Sequence, residues 1–307
     1  MPRACPPFHT NGSVTCGHDL HDLAPERAGR RCHHVVNPLH STVYFSPDLP
    51  AELAAVGVED RAAAYFASRA AALGAVGPGT VTATFYNFAY DLVARHIPQV
   101  WSVVPPAEVL AARLRAVDST LRRLLGDAVV ESPEMAEAAR LALRATEGCT
   151  RHARPLYAAH ADLPVPEAPH LAYWHAATLL REHRGDGHLV ALLEAGLNGL
   201  EALVTHTATD RGADRSWLLA TRGWSLEQWE AAEEGLRERG ILDAAGALTE
   251  AGTKLRADLE DTTDRLDLAP YEHLGAADVA RLTELATGFT QAAVAAGAFP
   301  KELLGKR

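Results

Sequence analysis

The sequence predicts a mainly α-helical protein with one small β-hairpin, and two patterns carry that prediction. From about Asn37 onward, apolar residues recur at the three- and four-residue spacing of amphipathic helices. Alternating runs, which are typical of strands, are rare outside residues 241–249. The segments that we expect to be helical are residues 60–72, 79–94, 107–125, 132–147, 171–184, 188–205 and 278–296.

Turn-forming residues set the expected helix ends. The Ser-Pro pair at 132–133 supplies an N-cap followed by proline in the first turn. We expect the third helix to break near Asp118, and we expect Gly185 and Gly187 to end the fifth. Asp186 would then cap the following helix.

A proline-rich segment divides the chain into two helical halves. Residues 163–169 contain three prolines, which favours a linker. We therefore predict a flexible leader over 1–30, an N-terminal helical half over 31–162 and a C-terminal half over 170–307.

Residues 216–249 predict a helix-turn-helix unit followed by a β-wing. A short helix at the start of this segment ends in a glycine turn. Ser225 caps a second helix over 226–239, which closes at Gly240. A hairpin then turns at 243–246, and helical spacing returns after it.

This segment resembles the MarR-type regulators, which have a winged-helix fold. The resemblance rests on the Arg-Glu-Arg-Gly-Ile-Leu run at 237–242 and the Leu-Thr-Glu-Ala-Gly run at 248–252. In those regulators the helix before the wing enters the major groove, where basic side chains neutralise phosphates. The resemblance therefore implies a ligand-responsive transcriptional regulator as one possible function.

A weak internal repeat connects the two halves. It superposes Gly74 on Gly185 and Asn87 on Asn198. The repeat predicts two pseudo-repeated halves of winged-helix, MarR-like type, which would imitate the two-fold dimer of such regulators within a monomer or a homodimer. We expect a small ligand at the interface between the halves.

The charge of the second helix argues against DNA as a partner. Its glutamates Glu227, Glu230, Glu233, Glu234 and Glu238 outnumber Arg237 and Arg239. The whole chain carries a formal net charge of -10. Because basic side chains supply most non-specific affinity for phosphates, we expect nucleic acid to be an unlikely partner. The alternative basis for DNA binding is an arginine strip of Arg211, Arg215, Arg222, Arg237 and Arg239.

The densest polar constellation lies within residues 174–188. Its candidate ligand-binding residues are His175, Arg181, Arg184 and Asp186, and its candidate acid–base residues are His183 and His188. A helix N-terminus capped by Asp186, with basic side chains beside it, would bind a carboxylate, phosphate or sulfate. The alternative is structural: Asp186 only caps a helix, and the histidines are buried and bonded to carbonyls.

Other candidate site residues lie outside this constellation. His40 and Tyr44 are one helical turn apart and would supply an acid or base and an orienting hydroxyl, unless they belong to an aromatic core helix. The remaining ligand-binding candidates are Tyr86 and Asn87 in an aromatic cluster, and Asn198 and His206 in the second half.

The leader carries possible metal ligands, and the motifs of several enzyme classes are missing. The side chains that could bind a metal are those of Cys5, His9, Cys16, His18 and His21. Their spacing fits no standard site, and a disordered tail is the alternative.

The zinc-protease, nucleophile-elbow, Walker and complete dinucleotide-binding motifs do not occur in the sequence.

From residue 32 to its end, the chain resembles an actinobacterial family of helix-turn-helix proteins of the Streptomyces type. The segments that carry this resemblance are residues 38–40, 44–45, 81–86, 174–188 and 220–224. The resemblance implies a helix-turn-helix fold and no particular activity.

These observations favour a cytoplasmic small-molecule-binding protein of winged-helix ancestry that has lost DNA binding. Its expected ligand is anionic or aromatic, and a cofactor-free acid–base enzyme of specialised metabolism is the catalytic form of this hypothesis. We predict no cofactor and no metal, with haem held by His183 or His175 as the alternative. No apolar run of about 20 residues occurs, so we expect no membrane partner.

Overall fold

The computed structural model describes residues 25–209 and 212–300, and α-helices dominate both segments. The cysteines and histidines of the leader that could bind a metal lie outside these residues. The α-helices are α1 (Pro25–Ser41), α2 (Asp48–Ala54), α3 (Arg61–Ala70), α4 (Pro78–Phe85), α5 (Tyr90–Ala94), α6 (Val100–Val103), α7 (Pro106–Leu125), α8 (Asp127–Val130), α9 (Pro133–Thr146), α10 (Pro155–Ala161), α11 (Pro169–Glu194), α12 (Gly199–Thr207), α13 (Arg215–Arg222), α14 (Leu226–Glu238), α15 (Glu250–Leu266), α16 (Ala269–Leu274) and α17 (Ala276–Ala295). Short 3-10 helices follow α1 (Thr42–Phe45) and α3 (Ala71–Leu73). The mainly helical prediction is confirmed.

The helix-turn-helix order is present, but the two strands expected for the wing do not form in the described residues. Gly223, with φ of 79°, ends α13, and Ser225 caps α14 by accepting a hydrogen bond from the Gln228 amide. After α14 there is one isolated antiparallel bridge, between Leu242 and Leu248. The next residue, Thr249, already caps α15.

The predicted helix break at Gly185 and Gly187 is wrong, because α11 runs through both glycines. A Cβ atom on Gly187 would lie 2.6 Å from a guanidinium nitrogen of Arg154, so close packing explains this glycine. Asp186 is therefore not an N-cap. It lies mid-helix and accepts a hydrogen bond from the Tyr157 amide at 2.9 Å.

The predicted break of α7 near Asp118 is also wrong. The Asp118 carboxylate bonds to the ring of His170 at 2.7 Å and to Arg122 at 3.0 Å. These side-chain partners replace the local backbone contacts through which aspartate often ends a helix, so α7 continues to Leu125.

Helix α11 connects two hydrophobic cores. The first core is built from α1 to α11 with α16 and α17, and it includes Tyr173 of α11. The second core is built from the end of α11 and from α12 to α15, and it includes Leu192 of α11 and Trp229 of α14. The two ends of this one helix therefore lie in different surroundings. The predicted domain boundary at 163–169 and the internal repeat stay predictions.

The helix-turn-helix unit docks on the first core through its turn. The Ala89 amide donates to the carbonyl of Arg222 at 2.9 Å, and the Trp224 indole donates to the carbonyl of Asn87 at 3.0 Å. A Cβ atom on Gly223 would lie 2.6 Å from Leu92, so the close approach requires glycine there.

No single helix in the described part of the chain is long and apolar enough to cross a bilayer. Helices α11 and α12 together have the length and apolar composition of a span, but they are bent by 95° relative to each other.

Candidate anion-binding site

The predicted site residues of α11 have two different sets of partners. His175 and Arg181, together with Glu182, lie beside α1, α3, α7 and α10. The other four predicted residues contact α10, α15 or the segment after α15, and they are His183, Arg184, Asp186 and His188. The single constellation expected from the sequence therefore divides into two groups with different partners.

The second set of partners includes an ion-pair network, which we define as Arg30, His183, Arg184, Asp264 and Asp267. Asp264 lies 2.8 Å from the Arg184 guanidinium and 2.6 Å from that of Arg30. Asp267 lies 2.8 Å from the ring of His183, and both side chains are almost fully buried. Each arginine of the network has a carboxylate partner from α15, so the network joins α11 to α15.

Asp186 and His188 are also held by protein groups. The ring of His188 lies 2.9 Å from the Thr263 hydroxyl, and burial lowers the pKa of His188 to about 4. Burial raises the pKa of Asp186 to about 6, although the hydrogen bond from the Tyr157 amide opposes that rise.

The residues around His175 and Arg181 form a different group, which we call the arginine–histidine cluster. It joins His40 and Tyr44, which the sequence predicts as site residues, with His175 and Arg181. Its members are His40, Tyr44, Tyr65, Arg69, Arg113, His160, Trp174, His175, Arg181 and Glu182.

Arg113 is a buried cation without a carboxylate partner. Its side chain is 4% exposed, and no carboxylate among the described residues lies within 4.0 Å of it. One guanidinium nitrogen donates to the Ser68 carbonyl at 2.7 Å and lies 3.3 Å from Nε2 of His160. Nδ1 of His160 lies 2.8 Å from the Leu156 carbonyl, so Nδ1 carries the proton and Nε2 accepts from Arg113. Burial and Arg113 lower the pKa of His160 to about 4.

Two further arginines share one carboxylate. Glu182 lies 3.6 Å from the Arg69 guanidinium and 3.5 Å from that of Arg181. Burial alone would raise the pKa of Glu182, but the two arginines hold it below its usual value, so Glu182 is ionised. The cluster therefore contains three guanidinium groups and one carboxylate, which pairs with two of them.

His40 is a buried side chain of the cluster whose ring nitrogens have no hydrogen-bond partner among the described residues. It is 1% exposed. Its ring stacks on Trp174 with centroids 4.9 Å apart. Burial, followed by the charges of Arg181 and Arg113, lowers the pKa of His40 well below its usual value. The neutral ring offers one donor and one acceptor.

Partly exposed aromatic side chains lie at the edge of the cluster. The rings of Tyr44 and Tyr65 are 5.7 Å apart, and Arg69 donates to the Tyr65 hydroxyl at 3.3 Å. Burial would raise the pKa of Tyr65, but Arg69 and Arg222 lower it below its usual value. The cluster thus combines guanidinium groups, neutral imidazoles and aromatic faces, which can hold a flat organic anion.

Tyr86 and Asn198 lie apart from this cluster. Both line a surface groove of about 540 Å³ between α4, α12 and α14. The Tyr86 hydroxyl donates to the carbonyl of Leu197 at 2.6 Å. Asn198 forms a capping box with Glu201 at the start of α12, so its polar atoms serve the helix end.

Asn87 and His206 are likewise not brought into the cluster. Asn87 precedes α5, where its carbonyl accepts the hydrogen bond from Trp224. His206 lies near the end of α12, and its ring is 3.5 Å from the Arg256 guanidinium.

The outward face of α14 is acidic, and the described arginines around it are engaged within the protein. Arg215 lies 3.7 Å from Glu230 and Glu233, Arg237 lies 2.9 Å from Glu234, and Arg239 lies 3.1 Å from Glu201. Arg222 packs over the rings of Phe88 and Trp217. Arg211 lies outside the described residues.

Sequence reasoning missed Arg69, Arg113, Tyr65 and His160, because they come from three helices that are distant in sequence. A signal was present for Arg113. It shares the buried face of α7 with Val109, Ala112, Ala116 and Val117, where helical spacing predicts an apolar residue. An arginine in such an apolar stripe indicates a buried charge.

The fold and the family comparison agree on the class of this protein: it is a mainly helical protein with a helix-turn-helix unit. A family model described as a helix-turn-helix family matches residues 29–300, and the chain belongs to that family. Comparisons with curated proteins and with solved structures find no similar protein.

Proposed function

We propose that this protein binds a small organic anion in the arginine–histidine cluster. The observation that carries the proposal is Arg113, a buried guanidinium group that no carboxylate of the described chain approaches within 4.0 Å. An unpaired charge in a protein interior is costly, and an anion bound there compensates it. The adjacent arginines share Glu182, which leaves the cluster as a whole positive.

His40 supports the same site. A buried imidazole with two unengaged nitrogens lowers stability unless a partner is bound. It lies against Trp174, which also contacts Arg113 at 5.2 Å. A ligand beside this indole would therefore meet a cation, a hydrogen-bonding ring and an aromatic face. In this proposal His183 and His188 are structural residues that contact Asp267 and Thr263.

We also propose that the helix-turn-helix unit, although of winged-helix descent, does not bind DNA. Its exposed glutamates would repel phosphates, and the arginines described around α14 already have partners within the protein. The alternative is a ligand-responsive regulator. A mobility-shift assay at low salt, with the promoter of its own gene, tests this: we expect no shifted band, whereas a shift with steep salt dependence would establish the regulator.

Thermal unfolding with small anions tests ligand binding. We expect at least one of inorganic phosphate, benzoate and isophthalate, at about 10 mM, to raise the Tm of the full chain; a ligand at about 100 times its Kd adds about 2.7 kcal/mol. Arg113→Met should lose the shift. Arg115→Met is the matched control, because Arg115 lies on the same helix, half exposed and paired with Glu52 at 2.7 Å. No shift with any anion, or the same shift in Arg113→Met, would contradict the proposal.

A further inference from the structure

The arginine–histidine cluster carries two positive charges that the described chain does not compensate. Glu182 places one carboxylate oxygen near Arg69 and the other near Arg181, at 3.6 and 3.5 Å, so one negative charge serves two cations. Arg113 has none. Three guanidinium groups with one carboxylate leave an excess of two.

The neighbouring groups do not supply the missing charge. His40, His160 and His175 are neutral, because burial and the arginines lower their pKa values. Asp264 and Asp267 already contact Arg184 and His183 in the ion-pair network. A monoanion would therefore leave one guanidinium uncompensated in an environment where charge is costly.

The walls of the cluster favour a flat ligand. The Trp174 ring stacks on His40 with an interplanar angle of 18°, and it also lies under the Arg113 guanidinium. Arg69 lies over the Phe85 ring at 4.3 Å. Guanidinium planes that rest on rings present their edges to an anion, and the partly exposed rings of Tyr44 and Tyr65 lie beside Arg69.

We infer that the ligand of the arginine–histidine cluster is an aromatic dianion, that is, an arene dicarboxylate or an aryl phosphate. This inference rests on the proposed function and specifies its ligand class. Arg113 holds one negative charge, and Arg69 with Arg181 holds the second, in competition with Glu182. The ring lies among Tyr44, Tyr65 and Trp174.

Isothermal titration of the full chain with three ligands tests the inference. Isophthalate and phenyl phosphate are dianions at about pH 8, whereas benzoate has the same ring with one charge. We expect at least one dianion to bind at least about tenfold more tightly than benzoate, because charge-assisted hydrogen bonds are the strong ones. The dianion that binds more tightly identifies the dicarboxylate or phosphate class. In Arg113→Met the preference should fall below about threefold, and in Arg115→Met it should remain.

The outcomes separate this inference from the proposed function. If benzoate binds as tightly as both dianions, the dianion inference is wrong and anion binding stands. If none of the three binds, both are wrong. An ionised Tyr65 is the competing source of negative charge, so Tyr65→Phe is a further variant: we expect it to keep the preference of the wild type. A preference that arises only in Tyr65→Phe would show that Tyr65 supplies the second charge, which overturns the inference.

Discussion

Two groups of buried side chains next to α11, the ion-pair network and the arginine–histidine cluster, contain the same kinds of side chain and differ in whether the described chain supplies their counter-charges. In the ion-pair network, Arg184 and His183 meet Asp264 and Asp267, so these contacts hold two helices together. In the arginine–histidine cluster, Arg113 of α7 has no carboxylate among the described residues within 4.0 Å. Buried arginine and histidine alone therefore do not mark a binding site; uncompensated charge is the distinguishing feature.

Loss of one arginine from each group gives the largest predicted contrast. Arg184→Met removes one guanidinium partner from the buried Asp264 and Asp267, which keep Arg30 and His183 as neighbours, so we expect a loss of about 3 kcal/mol in the free energy of unfolding. Arg113→Met breaks no ion pair and relieves repulsion, which offsets the loss of its bonds to the Ser68 carbonyl and to His160, so we expect a loss of no more than about 1 kcal/mol. Urea denaturation at neutral pH measures both, and equal losses would show that the two groups do not differ in this way.

The sequence predicts the fold further than it predicts the site. The helices and the turn before Ser225 follow from local signals, namely helical spacing, caps and a glycine. The predicted breaks at Asp118 and Gly185 are wrong because contacts with residues distant in sequence outweigh the local turn preference. Asp118 bonds to His170, and Gly187, next to Gly185, packs against Arg154. Local reasoning has no access to these contacts.

The candidate site was half predictable for the same reason. Residue type and spacing in the sequence indicate four members of the site, and the structure brings them into one cluster: His40, Tyr44, His175 and Arg181. Whether a charge in such a cluster is compensated depends on tertiary contacts. The separation of Arg181 from Arg184, three residues away, therefore required the structure.

Asp186→Asn gives the next largest effect and sharpens the comparison through pH. Burial raises the pKa of Asp186 to about 6 from 3.8, so the folded protein binds a proton between these pH values that the unfolded chain does not, and its stability rises as the pH falls through 6. At about pH 7.5 the buried carboxylate costs on the order of 2–3 kcal/mol, which Asn should recover while it still accepts from the Tyr157 amide.

The pH series supplies the control for Asp186→Asn. The advantage of the variant should disappear by about pH 4, where the wild-type carboxyl is protonated as well. Urea denaturation at several pH values measures the difference. A variant that is less stable than the wild type at about pH 7.5 would show that the carboxylate has a charged partner.

The smallest effect separates two histidines of the arginine–histidine cluster. His40→Phe keeps a ring stacked on Trp174 and removes two unengaged nitrogens, so we expect the ligand-free protein to gain about 1 kcal/mol. His160→Phe is the matched control: it removes a ring whose nitrogens bond to the Leu156 carbonyl and lie beside Arg113, and it should cost about 1–3 kcal/mol. Urea denaturation without added anions measures both. Equal losses would mean that the His40 nitrogens are engaged in the ligand-free protein, and His40 would then no longer support the anion site.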